Sequence, residues 1–290
     1  MKKILLITAL VLMSAVLLCG CNTKTAPITL EYLYTTYNLD GENYITLSKY
    51  IGNKTDVVVP TELNGLSVME IGANCFAESA VVSVTVPDSI LVIESGAFSK
   101  CTALTSVTLP DQMLYVGPQA FAECSSLKEI TLPSTGITEY SASLFMGSAV
   151  EKVILPEGVE IVPASAFFAS NLKEITLPST IKTVGDSAFA GCAELTSVKL
   201  NEGLTTIGNY AFMSCSSLTE IVIPASVETL TESAFVRCSA LSKVKFEGNA
   251  TAFKVAASAY TEEPTYTVYY HEGAEGFDAD KWEGFTVELW

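Results

Sequence analysis

Apolar residues return along this chain at a near-constant interval. Eight phenylalanines mark it most clearly: Phe76, Phe98, Phe121, Phe145, Phe167, Phe189, Phe212 and Phe235. The steps between them are 22, 23, 24, 22, 22, 23 and 23 residues. A period of roughly 20–29 residues predicts a solenoid, because one such unit can bury its apolar side only against its neighbours. A solenoid offers long walls rather than a catalytic cleft.

Within the unit from Leu104 to Leu127, Leu104, Val107 and Leu109 are spaced as a strand with one inward face requires. The frame recurs at Val81/Val84/Val86, Leu127/Ile130/Leu132, Val150/Val153/Leu155, Leu172/Ile175/Leu177, Leu195/Val198/Leu200, Leu218/Ile221/Ile223 and Leu241/Val244/Phe246. Pro87, Pro110, Pro133, Pro156, Pro178 and Pro224 follow, where proline stops a strand without losing a ladder hydrogen bond. Asn201 and Glu247 depart from that rule. Two further apolar residues stand eight and five positions before each Phe, as in Ile90/Ile93, Ile137/Tyr140 and Ile181/Val184. They predict a return segment on the far side, with short strands. A small residue, usually Ala, precedes the Phe and lets turns stack closely, so the rings are expected to form one aromatic spine.

The strand positions between the inward residues form three outward ladders. The first is Val82, Thr105, Lys128, Glu151, Lys173, Thr196, Thr219, Ser242, and the second is Ser83, Ser106, Glu129, Lys152, Glu174, Ser197, Glu220, Lys243. Their central signs alternate between neighbours, which describes a self-neutralising surface. The third ladder is Thr85, Thr108, Thr131, Ile154, Thr176, Lys199, Val222, Lys245, mostly uncharged and β-branched. The candidate ligand-binding residues are Thr131, Ile154, Thr176, Lys199, Val222, Lys243 and Lys245. Lys199, Lys243 and Lys245, near the C-terminal end, lack equal numbers of acidic neighbours and are expected to steer an acidic partner, with Ile154 and Val222 as exposed contact points. The chain's net charge of −16 makes this face its least acidic part and argues against nucleic acid as a partner.

At the front, Lys2 and Lys3 precede an apolar run from Ile4 to Leu18, too short for an ordinary membrane span. The sequence Leu18-Cys19-Gly20-Cys21 resembles the bacterial lipobox. The resemblance implies cleavage after Gly20 and lipid on Cys21; a plain secretory signal is the alternative. The membrane is then met only through the lipid. Residues 1–20 read as the signal peptide, 21–27 as a tether, 28–60 as an N-terminal hairpin cap, 61–246 as eight repeats and 247–290 as a polar C-terminal cap. Asp40-Gly41 marks the hairpin, with a loop that looks longer than the tightest two-residue type.

The repeat frame, with its Ala-Phe-x-x-Cys segment, resembles the BspA-type leucine-rich repeats of bacterial surface proteins over residues 61–246. The flanks around Asn43–Val68 and Thr267–Gly284 resemble the usual lead-in and ending of such proteins. The resemblance implies an α/β fold: a right-handed leucine-rich solenoid with a concave parallel sheet, β-rich with short helical turns. It also implies display at the cell surface and, for some members, binding of host proteins or other bacteria. The expected partner is an extracellular protein or a surface glycan, bound by a monomer without a cofactor and without enzymatic activity. An envelope scaffold without a dedicated ligand is the first alternative.

Cys101, Cys124, Cys192, Cys215 and Cys238 each stand three residues after a repeat Phe; units lacking Cys have Ser79, Ser148 or Ser170 there. Cys occurs where six residues lead from the Phe to the next strand, and Ser where five do. Such covariation points to an inward geometric role for a buried free thiol. A disulfide ladder is the rival for a chain outside the cytoplasm. His271 is the single histidine, so no conventional catalytic triad can form. Glu272, Glu275, Asp278 and Asp280 cluster in the C-terminal cap. A solvated acidic cap explains them; a cation site or an unfamiliar hydrolase centre are the alternatives.

Overall fold

The computed structural model describes residues 31–135, 140–231, 233–250, 266–278, 282 and 285–290. The signal peptide, the tether, Cys21, Ile137 and Asp280 lie outside the described residues.

The chain coils into rungs with three walls. Inward-facing Val, Ile and Leu of the predicted strand frame build the first, the strand wall. Its segments include Ser83–Thr85, Ser106–Thr108, Glu129–Thr131, Lys152–Ile154, Glu174–Thr176, Ser197–Lys199, Glu220–Ile223 and Lys243–Phe246. Pairing is parallel and in register, for example Thr131 beside Ile154 and Thr176 beside Lys199. The middle residue of most of these strands is buried between exposed or half-exposed flanks, as the period-two pattern requires. The wall continues at both ends, through Asp56–Val58 before the repeats and through Thr267–Tyr270 and Thr286–Leu289 after them. The polar C-terminal region therefore keeps the solenoid register that its sequence hides.

The return segments form the second wall from two-residue parallel strands such as Val92–Ile93, Ile161–Val162 and Thr183–Val184. The hairpin of Tyr32–Leu39 and Glu42–Tyr50 lays its second strand parallel to Leu66–Ile71 and so begins this wall. Its loop is tighter than expected: Leu39 pairs with Glu42, leaving two residues, Asp40 at φ 51° and Gly41 at φ 90°. Both positive angles match the twist of a two-residue hairpin turn. Asn64-Gly65, at φ 51° and 77°, repeats the device between Glu62–Leu63 and Leu66–Ile71.

The third wall holds the phenylalanines. No helix occurs among the described residues, so the expected short helical turns are replaced by stacked turns. Residues two before and two after the Phe are left-handed, as at Ser165 (φ 55°) and Ala169 (φ 54°) around Phe167. The chain between them turns its N–H groups along the solenoid axis. Ser165, Phe167 and Ala169 donate to the carbonyls of Asp186, Ala188 and Ala190 in the next rung, at 2.9, 2.8 and 2.8 Å. A helix would have spent those donors within one turn.

Successive rings stack at 5.0–5.8 Å between centroids with interplanar angles of 4–18°. Tyr32 meets the spine edge-on at Phe76, and Tyr266 does so at Phe235. All six described cysteines are free and buried. Five thiols donate to the carbonyl of the preceding rung's Phe, from Cys238 to Phe212 at 2.9 Å through Cys215 to Phe189 at 3.2 Å. Burial pushes the Cys124 thiol up to about 12 and the Cys192 thiol to about 11, which keeps both protonated as donors.

Candidate binding face

The strand wall displays the three outward ladders as one surface. Thr131, Ile154, Thr176 and Lys199 are exposed in successive rungs, Ile154 at 65%. Val58, 71% exposed, stands beside Thr85 and extends the uncharged lane toward the N-terminus. The lane from Val58 to Thr176 is β-branched throughout, so its side chains are already restricted at χ1 and lose little freedom on contact.

Beside the lane, alternating charges pair along the first ladder. Glu151 receives Lys128 at 3.0 Å and Lys173 at 2.6 Å. Lys173, then Lys128, hold the Glu151 carboxyl below its ordinary range. These pairs are solvent-exposed, so water and salt screen them. Their main effect is to cancel charge.

Two of the expected contact residues behave differently. Lys245 is not free: its Nζ lies 2.9 Å from Glu220 and 4.8 Å from the centre of the Trp290 ring, with the side chain 20% exposed. Trp290 reaches it because the last strand stacks onto the wall, a register the repeat pattern does not reveal. Val222 is half-buried rather than an exposed contact point. It neighbours Lys245 in the next strand, and that lysine folds back toward Glu220 on Val222's own strand. Among the described residues, Lys152, Lys199 and Lys243 make no ion pair within 4.0 Å. The free cations of the face are therefore these three.

Other candidate chemistry is dispersed. His271 Nε2 lies 3.0 Å from Glu247 and its ring stacks on Trp290. Glu275 uses its backbone to hold Asn249 and Ala250. Among the described residues no three His, Cys, Asp or Glu groups converge as a metal site, and no helix is long and apolar enough to cross a membrane. A recess of about 270 Å³ opens between the hairpin and the first turn, lined in part by Lys49, Lys54 and Glu78. Its Lys54 is tied to Glu31, and Tyr50 bonds the Lys54 backbone, so the recess belongs to the cap. One feature escaped the sequence reading. Glu70 and Glu94 sit half-buried in adjacent rungs of the return wall, and burial, then Glu94, push the Glu70 carboxyl up to about 7.

The architecture has solved counterparts. A leucine-rich repeat protein of T. pallidum is 28% identical, with a TM-score of 0.59, over 67% of this chain and 91% of that one. A leucine-rich cell surface protein of Faecalibacterium prausnitzii is 19% identical, with a TM-score of 0.46, over 92% of this chain and 99% of that one. The pneumococcal vaccine antigen PcpA is 14% identical, with a TM-score of 0.42, over 93% of this chain and all of the other (100%). Among curated proteins none matches. The profile of the BspA type leucine rich repeat region matches in six copies, over residues 69–172 and 138–263. By that match, and by the repeat that builds its three walls, the chain belongs to the BspA-type leucine-rich repeat family.

Proposed function

We propose that this protein is a surface-displayed recognition module that binds an extracellular protein or glycan through the strand wall without chemical turnover. The carrying observation is the exposed, uncharged lane through Thr131, Ile154 and Thr176, flanked by the unpaired Lys152, Lys199 and Lys243. A β-branched lane costs little entropy to cover, and unpaired lysines attract acidic groups without first breaking an ion pair. Lipid on Cys21 would hold the module at the membrane, and the leading lipobox-like sequence supports that reading. Cys21→Ser should then release the protein from the membrane fraction.

The test is capture of partners from host extracellular and bacterial surface extracts by the chain from Asn22 onward. A Lys199→Glu/Lys243→Glu variant runs alongside. Loss of the partner by the variant supports the proposal. Equal capture by both moves the site off this face. No capture by a folded protein favours the envelope scaffold, a reading to which the self-neutralising Lys128–Glu151–Lys173 chain also lends itself.

A further inference from the structure

The turn wall carries its own surface. The residue two places after each Phe points outward, and at both ends of the wall it is charged: Glu78, Lys100 and Glu123 in the first three rungs, Arg237 in the eighth. In the four rungs between, it is Gly147, Ala169, Gly191 and Ser214. The lane beside it, one place after the Phe, reads Met146, Phe168, Ala190 and Met213 there. Both methionines and Phe168 are half-exposed, while the small Ala190 beside Phe168 in the lane is fully buried. These two lanes make an uncharged window on a chain of net charge −16. Two copies of so acidic a molecule repel less where an uncharged window faces its own image.

We propose that the turn wall is a homodimer interface with the two solenoid axes antiparallel. The two-fold axis lies along the rungs, midway between those of Phe167 and Phe189. That operation is isologous, so each pairing occurs twice. It sets the large Phe168 side chain over the small Ala190 of the other copy, and Met146 against Met213. It also places Glu123 of the third rung opposite Arg237 of the eighth. Arg237 is the chain's single arginine. Neither Glu123 nor Arg237 makes an ion pair of its own among the described residues. They cannot meet within one chain, because five rungs separate them at 5.2–5.8 Å per step. One pairing scheme thus sets large side chain against small and places opposite charges together.

Two lanes of mostly half-buried side chains offer few contacts, so the dimer is weak and concentration-dependent. It replaces the monomer expected from sequence and leaves the strand wall free for other partners.

Sedimentation equilibrium on the chain from Asn22 onward, which keeps every described residue, tests this. Wild type should dimerise as concentration rises. Arg237→Glu and Glu123→Arg should each weaken association roughly tenfold, since each reversal acts at two symmetric contacts. The double exchange should restore it, and high salt should shrink the difference. Circular dichroism confirms that the variants fold. A wild type monomeric at its highest soluble concentration overturns the proposal, including one that instead adheres to lipid vesicles or a foreign protein through Phe168. A dimer indifferent to both single reversals, or unrescued by the exchange, overturns the antiparallel register.

Discussion

Phe167 lies fully packed, its ring 5.5 Å from Phe145 and 5.3 Å from Phe189, and both neighbours depend on it for one face. Phe167→Ala should cost about 3–5 kcal/mol, because stacked rungs on either side resist collapse into the cavity. An unchanged melting temperature would disprove the spine. Ser148 is the opposite case. Its hydroxyl is buried without a hydrogen-bond partner. In Cys-bearing rungs the longer sulfur arm reaches the Phe carbonyl of the rung before. Ser148→Ala removes an unpaid desolvation penalty of about 1–3 kcal/mol and should raise the melting temperature. A fall would mean that the hydroxyl is satisfied in solution. The described thiols are all buried, so a thiol reagent should label them only after unfolding.

Among the elements, the return wall sets a pH dependence. Glu70 is raised from 4.5 to about 7, first by burial and then by Glu94. The folded state therefore holds a proton that the unfolded state has released. This stability is full below pH 4.5 and is lost as pH rises toward 7. Glu70→Gln should flatten the melting-temperature slope across that window; an identical slope in the variant would remove Glu70 as its source. The strand and return walls were legible in the sequence because each needs inward apolar residues at fixed spacing, and prolines mark where strands stop. The turn wall was legible in its Phe spine and inward thiols but not in its backbone. Its hydrogen bonds are backbone to backbone, and its left-handed positions hold residues as varied as Gln119, Ala169, Tyr210 and Arg237. Composition carries no signal when the ladder, rather than glycine, holds the angle. Each such non-glycine residue costs about 1–2 kcal/mol, offset here by regular bonds to the next rung.

At the scale of the whole molecule, each rung touches only its neighbours, so stability accumulates along the axis and the ends need covering. The hairpin tyrosines cover one end of the spine and Tyr266 the other. The candidate face was legible as far as its ladders, since outward residues follow directly from the strand register. Its C-terminal edge was not, because Trp290 and Lys245 are neighbours only after two further strands stack. That contact takes Lys245 out of the free set and shifts weight to Lys152, Lys199 and Lys243. We propose that recognition belongs to the strand wall and self-association to the turn wall. Partner retention measured side by side for Lys199→Glu/Lys243→Glu and for Arg237→Glu separates the two most directly. The first variant should lose the captured partner while the second keeps it. Retention by the first with loss by the second would contradict it.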